Sequence, residues 1–122
     1  MKTVAVIGAS TDRRKFGNKA LRAFAQAGFR TIPITPRHDH VEGHRAYPTV
    51  MDVPGTIDMA TVYVPPEIGM RLLEGIAAKG ILEVWFNPGA ATPELISRAR
   101  MLGLRPIEDC SIIGIGMSPS EF

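Results

Sequence analysis

Short continuous apolar runs alternate along this chain with segments whose apolar residues recur at helical spacing. Thr3-Val4-Ala5-Val6-Ile7 ends at Gly8, as a strand covered on both faces should. From Asn18 to Ala27 the apolar residues Ala20, Leu21, Phe24 and Ala25 fall at i, i+1, i+4 and i+5. That spacing predicts a helix with one apolar stripe, stopped at Gly28. Phe29 to Thr35 reads as a second strand, and Pro33, which removes a ladder donor, points to a place near an edge.

Residues 36–56 carry Pro36, Gly43, Pro48, Pro54 and Gly55, the mark of a long connection, with one helical turn expected near Val50 to Val53. Asp58 to Val64 is the third strand, closed by Pro65-Pro66, with Pro66 in the first turn of a helix running from about Glu67 to Lys79. Ile68, Leu72, Leu73 and Ile76 face inward on it, and Gly80 ends it. Ile81 to Phe86 is the fourth strand. Thr92-Pro93-Glu94 opens a third helix with a capping threonine, Gly103 ends it, and Leu104 to Ile107 is the fifth strand. Ile112 to Ile115 is expected to pack as a short extra element.

Strands alternating with amphipathic helices imply right-handed βαβ units. The expected fold is a single α/β domain over residues 1–122, Rossmann-like and doubly wound, with a five-stranded, mainly parallel sheet in the order 3-2-1-4-5. The length of 122 residues suits one such domain and leaves no room for a second.

Fourteen basic residues against twelve acidic ones give a net charge of +2, spread out except at Arg13-Arg14-Lys15. This fits a local anion site better than a nucleic-acid surface. The lone Cys110 cannot form an internal disulfide, and no leader or membrane span is visible, so a cytoplasmic protein is expected.

In a doubly wound sheet, ligands bind outside the carboxyl ends of the strands. The first such end, Gly8-Ala9-Ser10-Thr11, leads through a basic loop containing Lys15 to Asn18 and the first helix, whose free amides and dipole favour a phosphate. The alternative is a plain strand-to-helix turn with a solvated loop. A dinucleotide fingerprint would place an acid at the end of the second strand. Here that strand ends in Thr35-Pro36-Arg37, so NAD is disfavoured, while a ribose carrying a phosphate, as in NADP or an adenosine 3′-phosphate, suits Arg37. Val64-Pro65 and Asn87-Pro88-Gly89 border the same crevice, as a ligand wall or as ordinary turns.

Gly8-Ala9-Ser10, Thr35-Pro36-Arg37, Gly43 through Tyr47-Pro48-Thr49, Asp58, Tyr63-Val64-Pro65 and Asn87-Pro88-Gly89 together resemble the stand-alone CoA-binding domain family. That family is similar to the N-terminal domain of the succinyl-CoA synthetase alpha subunit. The resemblance implies a coenzyme A, or acyl-CoA, across the strand ends, with Gly8, Ser10 and Thr11 near its phosphates and Arg37 near the phosphorylated ribose. Val64 and Pro65 would border the nucleotide, and Asn87 to Gly89 the adjoining wall. The synthetase's ligase domain, with its phosphorylated histidine, has no counterpart in 122 residues, so the resemblance supplies a ligand rather than a reaction.

No catalytic pair is expected, because Glu67 suits the N-terminus of its helix and only Glu108 and Asp109 are other acids near strand ends. Cys110 is either a buried small side chain or a thiol near the ligand. The cluster His38-Asp39-His40-Val41-Glu42-Gly43-His44 lacks the frame of a metal site and reads as a polar loop. The expected role is that of a CoA-binding sensor, carrier or regulator with a small-molecule nucleotide ligand. The alternatives are a small NADP-dependent oxidoreductase or nucleotide-processing enzyme, and an interaction protein dimerising through Ile112, Ile113, Ile115 and Met117.

Overall fold

A computed structural model describes residues 1–122. The first strand, β1 (Thr3–Ile7), is buried along its whole length. Its alternation divides the core: Val4 and Val6 pack on one side of the sheet, Ala5 and Ile7 on the other. The helix α1 (Phe16–Gln26) lays Ala20, Leu21, Ala23 and Phe24 against the Val4 side. Phe24 meets Phe29 edge-to-face at 4.9 Å where the chain turns into β2 (Arg30–Ile34).

The long connection is more structured than the sequence predicts. It contains a small hairpin, β3 (His40–Val41) and β4 (His44–Arg45), whose tip places Glu42 at φ 51° and Gly43 at φ 78°. Two successive residues with positive φ make the tight turn that suits the twist of paired strands. A single 3₁₀ turn, Val50–Asp52, follows with Thr49 and Asp52 capping each other. Then come β5 (Met59–Val62), α2 (Pro66–Ala78), β6 (Glu83–Phe86), α3 (Pro93–Met101), β7 (Arg105–Ile107) and the short α4 (Ser111–Gly114).

The five long strands form one parallel sheet in the order β2-β1-β5-β6-β7. The fold class is as expected, but the order 3-2-1-4-5 is corrected: the third long strand lies between the first and the fourth. Thr3 and Asp58 fix that placement, the Thr3 amide donating to the Asp58 carboxylate at 2.7 Å and the Asp58 amide to the Thr3 carbonyl at 2.9 Å. In consequence β2 is an edge strand.

Pro33 suits that edge. The Pro33 carbonyl accepts from the Tyr47 amide and the Thr35 amide donates to the Tyr47 carbonyl, so the missing N–H of Pro33 faces away from β1 and costs the ladder nothing. At the far edge, the Arg105 amide points inward to Leu82, and by alternation Pro106 points outward.

Helices α2 and α3 cover the Ala5 face, while α1 and α4 cover the Val4 face. Ile112 on α4 is fully buried, Ile115 and Met117 are partly buried against the same core, and only Ile113 is largely exposed. The apolar tail therefore packs within the chain, which removes most of the strip that would serve as a dimer surface. No helix is long and apolar enough to cross a membrane.

Candidate functional site

The sheet reverses its winding between β1 and β5, since α1 follows β1 on one face and α2 follows β5 on the other. A crevice is expected at such a switch point, and a cleft of about 1030 Å³ lies there. Small-molecule clefts span roughly 300–1,000 Å³, so this one has room for an extended ligand.

Its floor depends on two glycines. Gly8 turns the chain out of β1 at φ 88°, and a Cβ there would meet Val64 Cγ1 at 2.9 Å and the Tyr63 carbonyl carbon at 3.1 Å. Gly17, in the first turn of α1, presses on that turn so closely that a Cβ would stand 2.4 Å from the Gly8 carbonyl oxygen. Together they bring the start of α1 directly over the strand end. No side chain caps α1, and its first turn holds no acid, so its amide end and positive dipole are open to an anion.

The Gly8 and Ala9 amides both donate to the Ile34 carbonyl, at 3.1 and 3.4 Å, and so hold the loop to β2. Ser10 Oγ accepts from the Asp12 amide. The donors left for a ligand are the amides and hydroxyls of Ser10 and Thr11 and the first turn of α1. Three cations line the cleft, Arg14, Lys15 and Arg37, and no carboxylate does.

Arg14 is engaged by Asp12 through two side-chain bonds of 3.1 and 3.0 Å. The Arg14 guanidinium and backbone amide, both bonded to the Asp12 carboxylate, lower its pKa to about 2. Opposite the cations, Val64, Pro65, Ile68 and Leu72 form an apolar wall at the start of α2. Tyr63 also borders the cleft; burial pushes its phenol up, although its hydroxyl bonds Ser111 Oγ at 3.2 Å.

The structure gathers Gly8, Ala9, Ser10, Thr11, Lys15, Pro36, Arg37, Val64, Pro65, Asn87, Pro88 and Gly89 around this one cleft. Asn18 is the one expected residue that does not line the cleft. It is fully buried, donating to the Ser10 carbonyl at 2.8 Å and to Glu42 at 3.2 Å while accepting from Arg22 at 2.8 Å, so its side chain holds the loop. Asn87 lines the cleft, but its amide is committed. It donates to Thr61 Oγ1 and the Val62 carbonyl and accepts from the Ser111 amide.

Phe16, His38, Pro48, Ile68 and Leu72 also line the cleft without having been singled out as ligand contacts. Local sequence gives little sign of them: Phe16 lies nine positions past the end of β1 and Leu72 ten past the end of β5, and only the fold brings them to the strand ends. Cys110 is partly buried beside the α1 core and does not line the cleft. The three histidines lie along the hairpin and its approach, and no group of three metal-ligating side chains converges.

Fold and cleft position make this a Rossmann-like α/β domain with a crevice at the switch point. The chain belongs to the CoA-binding domain family, whose profile matches residues 2–116.

Among curated relatives, an ADP-forming acetate–CoA ligase of Methanocaldococcus jannaschii is 34% identical over 80 residues, which cover 66% of this chain and 11% of the ligase. This chain thus spans only a small part of that enzyme. An uncharacterized protein of Bacillus subtilis, YneT, is 24% identical over 111 residues, covering 91% of this chain and 82% of its own length. A solved structure of a hypothetical protein from Pyrococcus horikoshii superposes with a TM-score of 0.87 at 27% identity, covering 92% of this chain and 80% of that one.

Proposed function

We propose that this protein binds coenzyme A or an acyl-CoA along the switch-point cleft and acts in the cytoplasm as a sensor, carrier or regulatory module. The observation that carries the reading is the polarity of the cleft: Lys15, Arg37 and the open end of α1, with Arg14 held beside them by Asp12, against the apolar lining of Val64, Pro65, Ile68 and Leu72. Coenzyme A divides the same way, into phosphates and a thin, largely uncharged arm.

On this reading the diphosphate lies over Ser10, Thr11 and the first turn of α1, where amides and dipole favour it. Arg37 holds the 3′-phosphate by charge-assisted hydrogen bonds. Val64 and Pro65 border the adenosine, and Pro88 and Gly89 the adjoining wall. The titratable side chains of the lining are Arg14, Lys15, Arg37, His38 and Tyr63; the reading is of binding, and turnover of a CoA ester would have to draw its acid–base group from His38, Lys15 or Tyr63.

Calorimetric titration with CoA, acetyl-CoA, 3′-dephospho-CoA, NAD and NADP tests the reading. CoA should bind more tightly than its dephospho form, and Arg37→Ala should reduce that preference by about tenfold, as loss of a charged hydrogen bond does. Absence of binding by any CoA species would sink the proposal. Tighter binding of NADP than of CoA would favour the oxidoreductase reading, which rests on Arg37 as well.

A further inference from the structure

Behind the cleft loop lies a polar relay whose side chains do not line the cleft. Asn18 donates to the Ser10 carbonyl and to Glu42 at the hairpin tip, and accepts from Arg22 Nε at 2.8 Å. The same guanidinium donates to the Arg13 carbonyl at 2.7 Å and to the Phe122 carbonyl at 3.0 Å, and stands 5.9 Å from the centre of the Phe122 ring. Arg13 closes the circuit with an ion pair to Glu42 at 3.4 Å.

Two side chains one helical turn apart on α1 therefore fasten three separate segments: the cleft loop, the hairpin and the C-terminal turn, a 3₁₀ turn at Pro119–Glu121 that ends in Phe122. Each bond to the loop goes to a backbone carbonyl, so the relay fixes the path of the Ser10–Arg13 backbone. The direction in which the Ser10 and Thr11 amides point follows from that path.

We infer that Asn18 and Arg22 are positioning residues for the ligand, and that the C-terminal turn sets ligand affinity through Arg22 although it does not border the cleft. The inference rests on the proposed CoA site. Loop amides held in place before binding lose less freedom when a phosphate arrives. A guanidinium can span the Asn18, Arg13 and Phe122 oxygens at once, whereas an ammonium on a flexible stem cannot hold all three in that geometry.

Calorimetry with CoA and 3′-dephospho-CoA on the full chain, on Arg22→Lys and on a chain shortened after Met117 provides the test, with thermal melting and the amide resonances of Ser10 and Thr11 recorded for each. Both variants should bind CoA about tenfold more weakly, the cost of one lost charge-assisted bond. Their preference for CoA over the dephospho form, set by Arg37 outside the relay, should be unchanged, and the Ser10 and Thr11 resonances should shift in the ligand-free protein.

Arg22→Lys keeps the charge and the helix, so it serves even where the shortened chain fails to fold. If the full chain binds CoA and a folded variant binds it equally well, the inference is overturned and the CoA reading stands. Loss of the Arg37-dependent preference along with affinity marks general unfolding and overturns it too. If the full chain binds no CoA, both fall.

Discussion

Gly17 shows how one methyl group can decide whether the cleft exists. An alanine there would place carbon 2.4 Å from the Gly8 carbonyl oxygen, and both partners are backbone, so α1 must move off the strand end. Gly17→Ala is expected to cost roughly 3 kcal/mol or more and to abolish CoA binding, read by denaturant melts and calorimetry. Gly28→Ala is the control: nothing lies within 4 Å of its Cβ, and only its φ of 91° opposes a side chain. About 1–2 kcal/mol is expected there, with ligand binding intact.

Asp12 supplies the second residue-scale prediction. Its carboxyl titrates at about 2, below its ordinary 3.8, because Arg14 bonds the ionised form. A lowered pKa means that the folded state favours the charged carboxylate. Its contribution is complete above pH 3.8 and fades as pH falls through about 2. An NMR titration should find that low midpoint, and Arg14→Ala should return it towards 3.8.

Among the elements, the junction of β5, β6 and α4 is held by a buried polar cluster. Thr61 Oγ1 and Ser111 Oγ are 2.7 Å apart, and Asn87 bonds Thr61, the Val62 carbonyl and the Ser111 amide at 2.7, 2.9 and 2.9 Å. Asn87→Ala leaves the Ser111 amide unpaired in the interior and removes one bond each from Thr61 Oγ1, which keeps Ser111 Oγ, and from the Val62 carbonyl, which keeps the Asn87 backbone amide; an unpaired buried group costs about 1–3 kcal/mol. A loss of roughly 2 kcal/mol is expected in chemical denaturation, with α4 losing hydrogen-exchange protection first.

The cluster also marks where the sequence stops being readable. The five long strands, the three long helices and the strand-end turns were all visible, because periodicity and Gly and Pro punctuation are local signals. Asn87 at a strand end looks the same whether its amide faces a ligand or ties three elements together, and Asn18 at a helix start is equally ambiguous. What separates the roles is partners 24 to 26 positions away for Asn87, and Glu42 for Asn18. The hairpin escaped notice because Glu42-Gly43 is a weaker turn signal than Asn-Gly or Asp-Gly. Strand order escaped because βαβ alternation fits several orders; Pro33 alone pointed to β2 as an edge.

For the whole molecule, ligand and stability are linked. A ligand that binds only the folded state at a hundredfold excess over its Kd adds about 2.7 kcal/mol. For a chain of this length that raises Tm by about 10 °C. Differential scanning fluorimetry with CoA should show such a rise, and pantetheine, which lacks the phosphates, should give little of it.

The outward-facing prolines, Pro33 in β2 and Pro106 in β7, have a consequence for copies of the protein that meet in solution. An open strand edge templates further strands, and proline where the template needs a donor interrupts it. Because β2 and β7 are the two outer strands of the sheet, neither flank offers an unbroken row of donors to a neighbour. The sheet is thereby guarded against growing into a filament from either side, and on the β2 flank the Tyr47 segment already takes the Pro33 carbonyl and the Thr35 amide.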